Sequence, residues 1–302
     1  MTLTTDLRAT PRFEWPTWAL LVLSYATWAY ATAGSLPIWA AICAVAFAAA
    51  LHSSLSHEAL HGHPTPWAGI NEALVTPALT FCVPYRRFRD THLAHHQDER
   101  LTDPYDDPET NFMDRDVWAR LPKAWQLVLR FNNTLFGRLL IGPALGIFVF
   151  LLGDFRLIRA GNREVRAAWL WHIPGIFVVV TWLFFFGNLP AWAVIAGTYG
   201  AWALLRIRTF LEHRAHDRAA ARTVIVEDRG LLALIFLNNN FHAVHHSHPC
   251  VPWYRLPGLY AARKSEYLRK NGAYSYAGYG EVFRRYFFSA KDPVPHPLWR
   301  RR

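Results

Sequence analysis

The sequence predicts an all-α membrane protein: four transmembrane helices in two hairpins, interfacial helices between them, and a His-rich cap on one side. Three observations predict it. Hydrophobic residues make up 52% of the 302-residue chain and charged residues only 18%, which is lean in charge for a soluble protein of this size. Long uncharged runs come in two pairs, each joined by a Gly/Pro turn. The histidines, 15 in all, bunch just beyond those runs.

The first run, 15–33, is nearly uncharged, and Gly34, Ser35 and Pro37 turn the chain. The second, 38–55, is Ala-rich and continues into His57 and His61. A third apolar stretch, 68–83, is interrupted by Asn71, Glu72 and Pro77 and is too polar to span. Arg86, Arg87 and Arg89 follow, then an acidic, Pro-containing loop over 97–116. Residues 121–136 have helical periodicity with Lys123, Arg130 and Arg138 at the edges, as an interfacial helix would. Residues 139–152 are apolar but short and hold Gly142, Pro143 and Gly146, so a re-entrant or interfacial segment is expected. The third span, 168–187, is about 20 residues, enough at ~1.5 Å per residue for a ~30 Å hydrocarbon core. Asn188 and Pro190 turn the chain into the fourth, 190–208, and the run after it reaches His213 as a continued helix. The whole chain reads as one membrane-embedded domain, 1–302, with a cytosolic cap over 85–136 and 209–302.

Two hairpins place the N-terminus, every His cluster and the tail on one side. Arg156, Arg159, Arg163 and Arg166 lie in the connector on that side, and neither hairpin tip carries Lys or Arg, in accord with the positive-inside rule. The formal charge of +10 suits nucleic acid or an anionic membrane surface; the apolar runs select the membrane. Cys43, Cys82 and Cys250 are too scattered for a thiolate zinc site or a disulfide framework. The first apolar run, which follows a polar, Arg-containing leader, lacks a small-residue cleavage site and reads as a retained helix. The basic, aromatic tail beyond residue 251 suits either a cap or a lipid anchor.

The chemistry lies in the histidines. Residues 238–249 hold His242, His245, His246 and His248, and the first three form His-x-x-His-His. His92, His95 and His96 repeat it, and His57 and His61 stand i,i+4 apart. Positions i, i+3 and i+4 share a helix face, so each triplet is expected to point its imidazoles one way. Neutral imidazole is a common transition-metal ligand. With His213 the set numbers nine, more than one four-coordinate zinc uses, so two metals are expected; imidazole alone does not say which.

HEALHGH, THLAHH and HAVHH, in that order and beside paired spans, resemble the three His boxes of the membrane fatty acid desaturase/hydroxylase superfamily. RTFLEHRAHD and HAVHHSHPCVPWYRLP are similar to bacterial desaturases of that group. The resemblance runs roughly from 38 to 260. It implies a non-haem di-iron centre (two Fe) that uses O₂ to insert a double bond, or sometimes a hydroxyl, into an unactivated position of a lipid or acyl chain. It implies His57, His61, His92, His95, His96, His213, His242, His245 and His246 as ligands. It implies an external electron donor, a ferredoxin or cytochrome b5-type protein, and a multi-pass place in a bacterial inner membrane with the site facing the cytoplasm. No nucleic-acid role is expected. One position departs: stearoyl-CoA-type members have Asn where Thr209 stands.

Several residues keep milder readings. His52, His63 and His216 are expected in supporting roles, His172 as structural, and His248 and His296 stay unassigned. Glu58 and Glu212 either fix an imidazole tautomer or are solvated. Asp103, Asp106, Asp107 and Glu109 read as capping a helix start, and the three arginines before box two either hold a phosphate or carboxylate head-group or reach anionic lipid. Asn238, Asn239 and Asn240 either orient ligands or end a helix. Among rival functions, His-Glu-x-x-His at 57–61 fits a zinc protease but leaves both triplets idle. A metal transporter would place its site near the bilayer midplane, away from these boxes. Within the superfamily, a carotenoid hydroxylase or ketolase, or a small-substrate desaturase, remains open.

Overall fold

A computed structural model describes residues 13–299; the polar leader before them and the last three residues of the tail lie outside the described residues. The described chain is mostly helical, with one parallel pair of two-residue strands, β1 (Ile225–Val226) and β2 (Ser275–Tyr276). The first hairpin is α1 (Trp15–Ala33) and α2 (Ile38–Leu60), and α2 carries box one on its last turn. A short α3 (Ala68–Val75) leads to α4 (Tyr85–His95), which ends in box two. Then follow α5 (Arg115–Arg120), α6 (Lys123–Asn132), α7 (Leu135–Leu140) and α8 (Gly142–Arg159). The second apolar pair is α9 (Arg163–Phe186) and α10 (Ala191–Thr209). Beyond it, α11 (Leu231–Ile235) precedes the box-three helix α12 (His242–Ser247), and α13 (Leu256–Ala262), α14 (Lys264–Lys270) and α15 (Tyr279–Tyr286) complete the tail.

Two helices, α2 and α9, are long and apolar enough to cross a membrane by length and composition. The centre of the packing is α2, which lies chiefly against α10 and α1. Small residues make this possible: Ala48, Ala49 and Ala50 are fully buried, and Ser24 donates to the Ala48 carbonyl at 2.9 Å. On α10, Gly197 sits so near α2 that an added Cβ would lie 2.7 Å from Val45, the close approach that small residues permit between apolar helices. Gly197→Ala is therefore expected to destabilise by about 1–3 kcal/mol through overpacking. Gly153→Ala, in open space on α8, is expected to be neutral or mildly stabilising. Thermal unfolding of detergent-solubilised protein checks the pair; equal midpoints would contradict the packing.

Four expectations change. The arms of the second pair part: α10 packs on α2, α7 and α8, while α9 packs on α4, α8 and α1. The stretch 121–136 is two helices, because Thr134 stops α6 and caps α7 by accepting from the Gly137 N–H at 3.0 Å; Arg138 thus falls inside α7. Residues 139–152 are divided: 139 and 140 close α7, and 142–152 open the continuous 18-residue α8, since Pro143 stands in its first turn, where no N–H is needed. The buried Asp154 of α8 takes a bidentate pair from Arg87 and a bond from Trp169 Nε1 at 2.8 Å, tying α4, α8 and α9. Finally, α10 ends at Thr209, and His213 lies on extended chain bridged to Thr223.

The tail folds back onto the ends of the apolar helices. Tyr274, Tyr276, Tyr279 and Val282 share a buried cluster with Leu205, Ile207 and Phe210. The Tyr274 hydroxyl donates to the Leu211 carbonyl at 2.6 Å, Lys291 Nζ to the His213 carbonyl at 2.8 Å, and Trp253 Nε1 to Thr17 Oγ1 at 3.2 Å.

Candidate metal centre

The nine histidines singled out in the sequence converge into two adjoining groups. His57, His61, His92, His96 and His245 form one; His95, His213, His242 and His246 form the other, and within each group one nitrogen per ring lies within 4.8 Å of all the others. Neither triplet points one way. In box two the i,i+4 pair, His92 and His96, serves the first group while His95 serves the second. In box three the pair His242 and His246 serves the second while His245 serves the first. Boxes two and three therefore each bridge both groups, and the groups touch where the His96 and His246 rings stack at 4.3 Å.

Nitrogens crowd at the two centres. Nε2 of His213 lies 2.8 Å from that of His95 and 3.2 Å from that of His242. Nε2 of His96 lies 3.0 Å from that of His92 and 3.2 Å from that of His245. Nε2 of His57 and of His61 is buried with no hydrogen-bond partner. Unpartnered buried nitrogens are costly, and so is a cluster of charged imidazoles. Burial first, then the neighbouring rings, pushes His61, His96, His242 and His245 below the usual imidazole range, and His213 likewise through burial and the His95 charge. They are neutral and keep a lone pair. His95 is the exception: burial would lower it, but Glu109 and Asp107 lift it to about 9.

The outer nitrogens are held by groups that set the tautomer. His95 Nδ1 donates to Asp107 at 2.7 Å, His92 Nδ1 to Glu109 at 3.0 Å and His242 Nδ1 to Asn239 Oδ1 at 2.8 Å. This turns each Nε2 toward its group, where a neutral ring presents its lone pair, the arrangement that metal-bound imidazoles use. Two of the four carboxylates expected to cap a helix thus do other work. Asp107 and Glu109 hold ring nitrogens, and Asp114 caps the next helix, α5. Of the three asparagines, Asn238 turns the chain after α11 with φ +54°, Asn239 orients His242, and Asn240 ties back to the Val226 and Asp228 carbonyls.

The remaining residues separate from the centre. Glu58 accepts from the Trp253 N–H at 3.1 Å and stands 3.6 Å from His57 Nδ1. Glu212 pairs with Arg208 at 2.8 Å and stands 3.9 Å from His242 Nδ1. His63 holds Glu14 at 2.7 Å, His52 the Tyr25 hydroxyl at 3.0 Å and His172 the Phe81 carbonyl at 2.8 Å. His216 accepts from the Arg218 N–H, His296 contacts Thr102 Oγ1, and His248 stacks edge-on to Tyr267. The arginines before box two are paired within the chain: Arg86 with Glu72, Arg87 with Asp154 and Arg89 with Asp90.

A cavity of about 560 Å³ opens beside the second group, within the range of small-molecule sites. His95, His213, Glu212 and Thr209 line one part of it; Phe88, Leu145, Phe150, Trp171 and Trp202 line its apolar part.

Fold and site together define a His-rich, two-centre helical protein with an apolar cavity beside the imidazoles. The fatty acid desaturase family model matches residues 33–278, and the chain belongs to that family. It is also 27% identical over 214 residues, 67% of this chain and 71% of the relative, to a beta-carotene ketolase of Paracoccus sp. (strain N81106 / MBIC 01143). The chain is an oxidoreductase of the desaturase/hydroxylase superfamily.

Proposed function

We propose that this chain is an O₂-dependent di-iron desaturase acting on a fatty acyl chain or similar lipid. The observation that carries the reading is the pair of imidazole groups bridged by boxes two and three beside one cavity. On this reading His57, His61, His92, His96 and His245 hold one iron, and His95, His213, His242 and His246 the other. The donor set fits: nine imidazoles, no thiolate, and the buried Nε2 atoms of His57 and His61 left without a hydrogen-bond partner. Bound there, the two irons supply O₂ activation for removing hydrogen from an unactivated C–H. The chain's own part is to hold and to exclude. Asp107, Glu109 and Asn239 fix three imidazoles, and the apolar cavity wall lays the substrate against His95 and His213 away from water.

The reading includes four spans, α1, α2, α9 and α10, in one membrane-embedded domain with the cap over 85–136 and 209–302 on the cytoplasmic side of a bacterial inner membrane. Large apolar side chains exposed along these helices support it: Val22 and Leu23, Ile38 and Trp39, Phe177 and Phe184, and Trp192 and Ile195. An external ferredoxin or cytochrome b5-type donor supplies the electrons. A second reading, a carotenoid ring hydroxylase or ketolase, is favoured by the Paracoccus relative. Expression in a host supplied with both lipids and carotenoids, followed by mass spectrometry, tests the two. The first predicts acyl products two mass units lighter by loss of two hydrogens. Unchanged acyl profiles with oxygenated carotenoids would replace it by the second.

A further inference from the structure

One wall of the cavity carries two guanidinium groups without a carboxylate partner. Arg206 of α10 lines the cavity, and among the described residues neither a carboxylate nor a hydrogen-bond acceptor contacts its side chain; its Nε is buried and unpartnered. Arg138 of α7 lines the same cavity and is 5% exposed. Its donors go only to neutral acceptors: the Asn132 carbonyl at 3.0 Å, Asn111 Oδ1, and Asn133 Oδ1 at 3.3 Å. The two charges feel one another. Burial first, then the Arg206 charge, pushes Arg138 down to about 9. The carboxylates in electrostatic reach of Arg206 are Glu109 and Glu212, and both are engaged, Glu109 by His92 and Glu212 by Arg208. Every other arginine around the cavity, Arg86 and Arg208, holds a carboxylate of its own.

Unpaired guanidinium groups in such a wall are costly until a counter-charge arrives, and the planar fork suits carboxylate or phosphate oxygens. The opposing helix leaves room for the fork: a Cβ on Gly146 of α8 would stand 1.8 Å from Arg206 Nη2. We propose that Arg206, with Arg138, forms an anion subsite of this cavity, and that its ligand joins an anionic oxygen group to an apolar chain. This rests on the cavity being the substrate site. An acyl chain presenting its carboxylate meets both demands; a hydrocarbon carotene would leave both charges unpaired.

The test is binding of radiolabelled palmitate to the full chain in phosphatidylcholine nanodiscs, competed by palmitate, methyl palmitate or phosphatidic acid, with iron measured on the same preparation. Palmitate is expected to compete at least about 10-fold better than methyl palmitate, since a charge-assisted bond is lost in the ester. Arg206→Gln is expected to erase that preference, and Arg206→Lys to keep part of it. If phosphatidic acid competes better than palmitate, the anion is a lipid phosphate; if worse, it is a carboxylate. No binding by either acid, or an acid preference that survives Arg206→Gln, overturns the subsite. Two irons per chain without acid preference sinks this inference alone, and acid preference without iron sinks the di-iron reading alone.

Discussion

His245→Ala and His242→Ala are expected each to remove one metal and to lower turnover by more than about 100-fold, beyond the 10–100-fold cost of losing an outer partner. The two residues are three apart on one short helix, yet they serve different groups: His245 faces His57, His61, His92 and His96, while His242 faces His95, His213 and His246. One six-residue helix contributes to both groups, so on the proposed di-iron reading losing either ring is expected to abolish the reaction. Iron per chain and product formation are the measurements. His248→Ala is the control, since that ring lies outside both groups against Tyr267, and it is expected to change neither. A His245→Ala protein with full metal and activity would break the assignment.

Asp107→Asn is expected to lower metal affinity or turnover by about 10–100-fold with the fold intact. One Asp107 oxygen accepts from His95 Nδ1 at 2.7 Å and from the Glu109 N–H at 3.0 Å; the other accepts from the Thr102 N–H at 2.8 Å. An amide has one acceptor end, so either His95 loses its partner or the loop does. The negative charge that, with Glu109, lifts His95 goes as well. Asp106→Asn, exposed three residues from Asp103, is expected to change little. Metal titration of both variants separates the cases, and an Asp107→Asn protein that binds metal as the parent does would remove the role given to that carboxylate.

These residues also show what the sequence could and could not tell. The His-x-x-His-His spacing revealed which histidines come together, because three- and four-residue steps return to one helix face. It hid their division into two groups. Adjacent residues on a helix diverge by about 100°, so His95 and His96, or His245 and His246, cannot aim at one point, and a second centre is where the odd ring goes. Asp107 and Glu109 were visible only as an acidic run. Their partners lie 12 and 17 residues back across a loop, a separation that no periodicity marks. His213 was found by its neighbourhood but placed on the wrong kind of backbone, because nothing in an apolar run ending in Arg206 and Arg208 signals that the helix stops at Thr209. The long apolar helices followed from composition alone. That α10 would leave α9 and pack on α2 depended on Gly197 meeting Val45, a tertiary fit.

The most direct measurement is the metal content of anaerobically purified full-length chain, by elemental analysis alongside protein quantitation. Two irons per chain are expected, falling to about one in His245→Ala and in His242→Ala. About one equivalent of zinc and no iron would contradict it.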